Sequence, residues 1–436
     1  MERKPFTDLS SIRDLLVGEM TSLVEQAVGH LNAHRFDEAA TAFLAAVNAA
    51  PADDEAWRGL ALALALKGAI GDVIGLADYR QRRRGDGFLF CHEVQGVLLT
   101  YRLRDHVRAL DAALPDASPY KPSSLYQAGC ADLLDGHEDA AFARFARFKA
   151  MVAARTDLPI GADSHFNIAY RQGTLIEDAD YVAGLGAASD VAARLPALQD
   201  EDERRLGKRP YVLAAACDAR YFARFAPGFV ESAARTMPGV TLHFHVMEPD
   251  AATAALYREL ALSAPALAFN LSTEAESPFK SGAYYASARF LIGPALLRRY
   301  DRPLVLLDAD VAFEQALDPL VAVAAAGADF ACFRHEGAGP CSRYPAVLTV
   351  TRPGAGGMEF LERVRRFVLA KLEIEWPFNW MLDQAALGSV IRWAQKTRTD
   401  LTIGMLNDLV GTHFQPWLRS VGGDEKAAMI RAASGQ

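Results

Sequence analysis

Two patterns of hydrophobic and polar positions divide the chain near residue 208. Before this point, small and apolar residues recur at helical spacing. From Tyr211 onward, short apolar runs alternate with longer helical patterns, which predicts a mainly parallel β-sheet flanked by helices. The predicted strands are Tyr211–Cys217, Val240–Met247, Ala266–Leu271, Leu304–Leu307, Asp329–Phe333 and Ala346–Val350. The predicted helices are Ala251–Leu262, Ala283–Tyr300, Gly356–Lys371 and Asp383–Trp393.

The first part of the chain repeats with a period of 34 residues. Ala39 and Phe43 recur three periods later as Ala141 and Phe145, and the period is that of the tetratricopeptide repeat. Residues 1–155 therefore resemble a tetratricopeptide-like (TPR) helical array, whose concave surface usually holds a peptide or partner protein. A chance pattern in Ala-rich helical hairpins is the alternative. The segments that fit the repeat well are 20–53 and 122–155, and the segment 88–121 fits it poorly.

Periodicity fades between Thr156 and Arg209, and opposite charges concentrate just before the first predicted strand. This composition is typical of a linker, and a solvated helix end would look the same. Either interpretation places a domain boundary near residue 208. We expect three regions: a helical array at 1–155, a linker or uncertain helical segment at 156–208, and an α/β domain at 209–436.

Composition narrows the classes of protein. The 436 residues are 51% hydrophobic and 23% charged, as in globular proteins, and the net charge of −8 gives no overall field for binding nucleic acid. The five cysteines are widely spaced and odd in number, which favours reduced thiols and a cytoplasmic location. The N-terminal residues lack the apolar centre of a secretory signal, and no apolar run reaches the length of a transmembrane segment. We expect any membrane contact, such as one at the inner membrane, to be peripheral.

A pair of acids follows the most apolar of the predicted strands. Leu304–Leu307 is continuously apolar, as in a strand buried on both faces, and Asp308 and Asp310 come directly after it. Ligands of open α/β sheets bind beyond the carboxyl ends of strands. Carboxylates there suit Mg²⁺ or Mn²⁺, which then bridge to phosphate. A surface turn, in which Asp is common, is the alternative.

Three stretches in a fixed order carry a resemblance to a known family. Tyr284–Phe290, Leu296–Asp310 and Trp380–Leu387 resemble the GT-A glycosyltransferases, particularly the family-8-like branch that includes lipopolysaccharide galactosyltransferases and glycogenin. The resemblance covers residues 210 to 418, about half of the chain. It implies an α-helical TPR-like array followed by an α/β GT-A (nucleotide-diphospho-sugar transferase) domain.

The resemblance also implies roles for individual residues. Asp308 and Asp310 would bind the metal and contact the ribose and diphosphate of the donor, and Arg289 would contact the donor sugar or phosphate. Asp218 would contact the uracil and ribose. The residues themselves allow other roles: Arg289 interrupts an apolar helical stripe, so it is either aimed at a ligand or held in an ion pair. Asp218 is also placed to cap a helix.

Near the C-terminal end, the resemblance is less regular. Asp383 would bind donor-sugar hydroxyls and Gln384 would lie close to the reacting carbon, although Asp383 could equally cap a helix. His413 would be the third metal ligand, with a purely structural role as the alternative. Here the chain departs from the family, because it has no Lys between His413 and the Pro416-Trp417 pair. It also lacks the family's Asn and Gly at the predicted strand Ala346–Val350.

Together these features predict a metal-dependent hexosyltransferase-like glycosyltransferase of bacterial type that uses Mn²⁺ or Mg²⁺. It would move a sugar from a nucleotide-diphosphate donor, a UDP-sugar, to a protein acceptor recruited by the TPR array. One alternative is a lipopolysaccharide or capsule glycosyltransferase with a glycan acceptor. Another is a non-catalytic TPR scaffold with a degenerate transferase domain.

Overall fold

The computed structural model describes residues 22–160, 166–186, 198–200, 204–335, 339–374, 381–411 and 413–421. The chain divides into two compact units, Met1–Thr174 and Leu175–Gln436, which we call the helical unit and the sheet unit. The dividing point falls within the segment 156–208. Trp380, one of the residues that carry the family resemblance, lies outside the described residues.

The helical unit is built, over its described residues, from helices joined by short turns. They are α1 (Ser22–Asn32), α2 (Phe36–Ala49), α3 (Asp54–Leu66), α4 (Ile70–Arg84), α5 (Gly87–Thr100), α6 (Arg104–Ala113), α7 (Lys121–Leu134), α8 (Glu138–Ala153) and α9 (Phe166–Leu175). Asp53 caps α3, because its carboxylate accepts hydrogen bonds from the backbone N–H groups of Glu55 and Ala56. The predicted helical character of the N-terminal region is confirmed.

Two glycines let neighbouring helices approach closely. A Cβ atom on Gly59 of α3 would lie 2.2 Å from the ring of Phe43 in α2, and one on Gly129 of α7 would lie 2.6 Å from the ring of Phe145 in α8. Both rings are buried. The aromatic residues that mark the sequence period therefore occupy the same kind of position, over a glycine of an adjacent helix.

Helix α9 covers part of the helices that precede it. The ring of Phe166 packs edge-on against Phe88 of α5, with ring centroids 4.7 Å apart. Tyr126 of α7 donates a hydrogen bond to Gln172 of α9 at 2.9 Å. Helix α7 is buried from Lys121 to Leu133, so this part of the array is enclosed by the chain itself.

The sheet unit alternates strands with helices. The strands are β1 (Gln199–Asp200), β2 (Val212–Asp218), β3 (Thr241–Met247), β4 (Ala268–Glu274), β5 (Leu304–Leu307), β6 (Val311–Phe313), β7 (Phe330–Cys332), β8 (Leu348–Thr351), β9 (Ile403–Met405) and β10 (Leu418–Ser420). The helices are α10 (Ala179–Gly184), α11 (Ala219–Thr236), α12 (Thr253–Ser263), α13 (Gly282–Tyr300), α14 (Asp318–Gly327), α15 (Ala355–Leu372), α16 (Leu382–Thr397) and α17 (Leu406–Val410).

The main sheet is mixed, with the strand order β1-β4-β3-β2-β5-β8-β7-β9, and β10 pairs with β6 separately. Strands β4, β3, β2 and β5 are parallel neighbours, whereas β8 runs antiparallel to both β5 and β7, and β1 runs antiparallel to β4. The expectation of a mainly parallel sheet missed these reversals. No crossover helix appears among the described residues between β7 and β8, so β8 can return beside β7 in the opposite direction.

Six strands end at the same side of the sheet. Because β7 and β5 both oppose β8, and β9 is parallel to β7, the carboxyl ends of β2, β3, β4, β5, β7 and β9 share one edge, which we call the carboxyl edge. Residues that end these strands, or follow them within three positions, lie at this edge. They are Asp218, Glu248, Glu274, Asp308, His335 and Asn407.

Helices α11, α14 and α17 of the sheet unit were not predicted from the sequence, and α10 falls in the segment 156–208, for which no element was predicted. Pro227-Gly228 resembles a turn, yet α11 continues through it, with Phe222 and Phe229 buried against the sheet. Helix α14 contains most of the apolar run Leu320–Ala328. Within the described residues, every helix is too short or too polar to span a membrane.

His243 and His245 lie on the same face of β3, as alternate residues of a strand do. Two histidines on one face of a strand predict a solvated or core-edge pair, but both side chains are fully buried. Ser272 of β4 lies between them, with its Oγ 2.8 Å from His243 and 3.0 Å from His245. Burial lowers the pKa of His243, and the neighbouring His245 adds to this effect. The hydrogen bonds that make this burial acceptable come from another strand, which local pattern does not reveal.

The close contact at Gly59 predicts that alanine substitutions at Gly59 and at Gly75 have opposite effects on stability. Gly59→Ala should destabilise the helical unit by about 1–3 kcal/mol, because a rigid buried ring must move. Gly75→Ala is the matched control: its Cβ would meet nothing within 4 Å, so the higher helix propensity of alanine should stabilise α4 by about 0.5–1 kcal/mol. Hydrogen exchange in α2, α3 and α4 measures both effects, and equal effects of the two substitutions would contradict the packing described.

Candidate active site

The acids Asp308 and Asp310 lie where the sequence places them, at the carboxyl end of β5. All four residues of β5 are fully buried, and the backbone N–H of Asp308 donates to the carbonyl of Val347 at 3.2 Å. The side chain of Asp308 is 31% exposed, whereas Asp310 is buried. One carboxylate of the pair is therefore accessible at the edge and the other lies beneath the surface.

Arg289 of α13 connects Asp308 to a distant part of the chain. Its Nη2 lies 2.9 Å from Oδ1 of Asp308 and 2.8 Å from Oδ2 of Asp383, and it also donates to the carbonyl of Ala346 at 3.2 Å. The arginine side chain is only 4% exposed. The ion pair that the sequence left open is thus present, and one guanidinium brings together the ends of three elements.

Asp383 is in the first turn of α16, where backbone N–H groups favour an anion. The preceding Met381 has a φ of 73°, an unusual left-handed conformation for a residue with a side chain. Met381 is the N-cap residue, so Asp383 does not have the capping role considered above. Burial raises the pKa of the Asp383 carboxyl, Arg289 opposes this shift, and the nearby Asp308 adds to it. Gln384, the next residue, is half-buried.

Asp218 at the end of β2 has the capping role that the sequence allowed. Its Oδ1 accepts a hydrogen bond from the backbone N–H of Tyr221 at 2.8 Å at the start of α11. Its Oδ2 lies 3.4 Å from the guanidinium of the exposed Arg220. The cap fixes the orientation of the carboxylate at the edge.

His413 lies in a small network that follows β9. Its Nδ1 is 2.8 Å from Nδ2 of Asn407, whose Oδ1 accepts a hydrogen bond from the backbone N–H of Arg334 at 2.7 Å. The ring of His335 packs edge-on against His413, with centroids 6.0 Å apart, and stacks on Phe414. Burial lowers the pKa of His335, and His413 contributes to this shift. No role was assigned to His335 from the sequence, although its place after β7 was a usable signal.

The donor atoms present suit a hard divalent cation only in part. Within the described residues, no group of three or more His, Cys, Asp and Glu side chains is arranged to hold a metal. The carboxylate oxygens of Asp308 and Asp310 are the type that Mg²⁺ and Mn²⁺ prefer, and Mg²⁺ commonly binds through one or two carboxylates plus phosphate and water. The two acids therefore fit such an ion that shares its coordination with a substrate.

Two further acids at the carboxyl edge were missed in the sequence. Glu248 directly follows β3 with a φ of 52°, and its carboxylate accepts a hydrogen bond from Tyr285 at 3.3 Å. Glu274 ends β4 and accepts a hydrogen bond from Tyr284 at 2.8 Å. Burial raises the pKa of Tyr285, and the charges of Glu248 and Asp218 add to the shift. Glu248 directly follows its predicted strand, as Asp218 does, whereas Glu274 lies three residues beyond the predicted strand Ala266–Leu271.

The shared guanidinium predicts a large cost for its removal. Arg289→Met should destabilise the sheet unit by about 3–5 kcal/mol, because it leaves carboxylates at the buried site without their cation. Adding Asp383→Asn should recover part of this loss. The matched control is Arg298→Met on the same helix, whose guanidinium is 58% exposed beside Glu362 and should cost less than about 1 kcal/mol.

Hydrogen exchange of the β5 amides reports opening of the sheet unit and measures these effects. Similar losses for Arg289→Met and Arg298→Met would contradict the role of Arg289 as the central cation.

No protein-family model matches the chain, and no curated protein sequence matches it significantly. Among solved structures, the chain is similar to the glycosyltransferase GlyE from Streptococcus pneumoniae TIGR4, at 14% identity over 53% of this chain and 50% of that one, with a TM-score of 0.34. It is similar to mouse xyloside xylosyltransferase 1, at 14% identity over 45% of this chain and 84% of that one, with a TM-score of 0.31.

A third similar structure is the galactosyltransferase LgtC in complex with donor and acceptor sugar analogs, at 12% identity over 51% of this chain and 95% of that one, with a TM-score of 0.31. The chain thus spans half the length of the GlyE chain that it matches.

Proposed function

We propose that the sheet unit is a glycosyltransferase that moves a sugar from a nucleoside-diphosphate donor to an acceptor. The observation that carries the proposal is the sharing of Arg289 between Asp308 and Asp383 at the carboxyl edge. Arg289 and Asp383, 94 positions apart in the chain, meet there. Burying the guanidinium of Arg289 would be costly if it were not paired. A buried acid with a raised pKa, paired with a buried arginine at the edge where α/β sheets bind ligands, is typical of active sites.

The donor's diphosphate needs charge compensation as its bond to the sugar breaks. Asp308 and Asp310 would hold Mn²⁺ or Mg²⁺ against it, and the ion would supply Lewis-acid stabilisation of the leaving group. Asp308 is accessible for this contact, and the burial of Asp310 fixes the segment that carries it. The family resemblance implies that His413 is the third metal ligand, but its Nδ1 is hydrogen-bonded to Asn407.

The sugar would lie near Arg289, Asp383 and Gln384. The carboxylate of Asp383 can accept hydrogen bonds from sugar hydroxyls, because Arg289 stabilises its charged form. Gln384 would lie beside the reacting carbon. These contacts hold the sugar in one orientation before transfer, which lowers the entropic part of the barrier.

The nucleoside would lie towards β2 and β3. Asp218 is oriented because it caps α11. Tyr285 lies close to both Asp218 and Glu248, and the charges of these two acids raise its pKa. Carboxylates there suit the donor groups of a ribose and of a nucleobase. We propose a UDP-sugar as the donor on the basis of the family resemblance.

The helical unit would recruit the acceptor, which we propose to be a protein. Its repeated contacts of an aromatic ring over a glycine support a TPR-like array, and α9 limits the surface that a partner could reach near α5 and α7. A chain lacking residues 1–174 should still hydrolyse the donor but fail to modify the protein acceptor. Nucleotide binding by the shortened chain shows that it folds, and unchanged modification by a folded short chain would contradict recruitment.

The metal assignment predicts a specific pattern of ligand stabilisation. UDP with Mn²⁺ should raise the melting temperature of the full chain, since ligands that bind the native state stabilise it. Asp308→Asn and Asp310→Asn should each abolish most of this shift and of UDP-sugar hydrolysis, because a neutral amide is a poorer ligand for a hard cation.

The control is Asp180→Asn, an exposed acid of α10, which should leave both readouts unchanged. If the shift and the hydrolysis persist in both Asp308→Asn and Asp310→Asn, the assignment is wrong. If wild-type protein shows the shift without hydrolysis, a nucleotide-binding scaffold is the better description.

A further inference from the structure

The side chain of Asn407 determines which nitrogen carries the proton in the neutral imidazole of His413. The backbone N–H of Arg334 can only donate, so the atom of Asn407 that faces it at 2.7 Å must be the carbonyl oxygen. The amide nitrogen of Asn407, which also can only donate, then faces Nδ1 of His413 at 2.8 Å. Nδ1 must accept this hydrogen bond with its lone pair. The proton of the neutral imidazole is therefore on Nε2.

This arrangement does not suit a metal ligand. A ligating imidazole offers one nitrogen lone pair to the metal and usually donates its other N–H to a carboxylate, carbonyl or water. In His413 the polarity is reversed: the lone pair of Nδ1 is taken by a donor, and Nε2 carries a proton. The side chain fits a hydrogen-bond donor.

The segment that carries His413 lies beside the acids of β5. Strand β10 pairs with β6, which begins directly after Asp310, and the backbone N–H of Val421 donates to the carbonyl of Asp310 at 2.9 Å. Asn407 anchors the other end of the segment at the carboxyl edge. His413 is thus attached to the same edge as Asp308 and Asp310.

This edge is rich in carboxylates, and its further cations Arg220, Lys280 and Arg334 each lie beside an acid. It carries Asp218, Glu248, Asp308, Asp310 and Asp383, and Arg289 is already shared by two of these carboxylates. The chain also has no Lys in the two positions between His413 and Pro416. Hydrogen bonds to charged oxygens are stronger than neutral ones, so a single fixed N–H is effective there.

We propose that His413 donates its Nε2–H to an anionic oxygen of the donor's diphosphate and does not bind the metal. Asn407 is the positioning residue that sets this tautomer. The inference rests on the proposed function: the cation held by Asp308 and Asp310 would compensate the charge of the leaving group, and the N–H of a neutral imidazole would add a hydrogen bond to it. A change at position 407 alone should therefore alter His413.

The decisive variant is Asn407→Asp in the full chain. A carboxylate accepts from both the Arg334 N–H and the imidazole, so the proton should move to Nδ1 and leave a lone pair on Nε2. Long-range ¹H–¹⁵N NMR of histidine-labelled protein identifies the tautomer directly, with His413→Gln used to assign the signal. Wild type should show the Nε2–H form and Asn407→Asp the Nδ1–H form; an Nδ1–H form in wild type overturns the inference.

Binding measurements test whether His413 donates a hydrogen bond to the nucleotide. By calorimetry with UDP and Mn²⁺, Asn407→Asp and His413→Phe should each weaken UDP binding about tenfold or more. His413→Gln retains a side-chain N–H and should lose less. Mn²⁺ binding without nucleotide should be the same in His413→Phe as in wild type.

Two controls separate the loss of the hydrogen-bond donor from other causes of weaker UDP binding. His137→Phe, at an exposed position of the helical unit, should leave UDP binding unchanged. The double variant Asn407→Asp/His413→Gln keeps the new charge but has no tautomer to reverse, so it should bind UDP more tightly than Asn407→Asp alone. Equal weakness of the two would assign the loss to charge and overturn the inference.

The remaining outcomes are also distinct. Weaker Mn²⁺ binding in His413→Phe without nucleotide would show that His413 is a metal ligand. If wild type binds UDP with Mn²⁺ and His413→Phe binds it equally well, only the role of His413 fails. If wild type binds none of UDP, GDP or CDP with Mn²⁺, the proposed function fails, and the role of His413 fails with it.

Discussion

The guanidinium of Arg289, held between Asp308 and Asp383, is the interaction on which the carboxyl edge depends. A buried charge is tolerated only when paired and hydrogen-bonded, and each contact of Arg289 fixes a different element. Asp308 fixes the end of β5, Asp383 the first turn of α16, and the carbonyl of Ala346 the approach to β8. Arg289 therefore joins these three elements without any ligand.

Local patterns in the sequence predicted the parts of this site but not their assembly. The apolar run Leu304–Leu307 identified β5 and hence the position of Asp308, because a strand buried on both faces has a simple signature. The pairing of Arg289 with Asp383 joins residues far apart in the chain, and periodicity carries no information at that range. The sequence could state only that Arg289 needs a partner or a ligand.

The errors have similar causes. Helix α11 was absent from the predicted elements, and its buried face outweighs the local cost of Pro227 in a helix. His243 and His245 are polar residues in a core, and the groups that satisfy them, including Ser272, come from a neighbouring strand. The direction of β8 depends on how the chain returns from β7, which apolar runs do not record. In the helical unit, by contrast, the 34-residue period located the rings of Phe43 and Phe145, because each lies over a glycine of the adjacent helix.

The central claim is that Asp308 and Asp310 hold a divalent ion against a nucleoside diphosphate at the edge that Arg289 organises. Electron paramagnetic resonance of Mn²⁺ bound to the full chain with UDP labelled with ¹⁷O in its diphosphate tests it most directly. If these acids hold the ion, the labelled oxygens should broaden the Mn²⁺ lines in wild-type protein, and the bound signal should be lost in Asp308→Asn. A bound Mn²⁺ signal that is insensitive both to the label and to that substitution would contradict it.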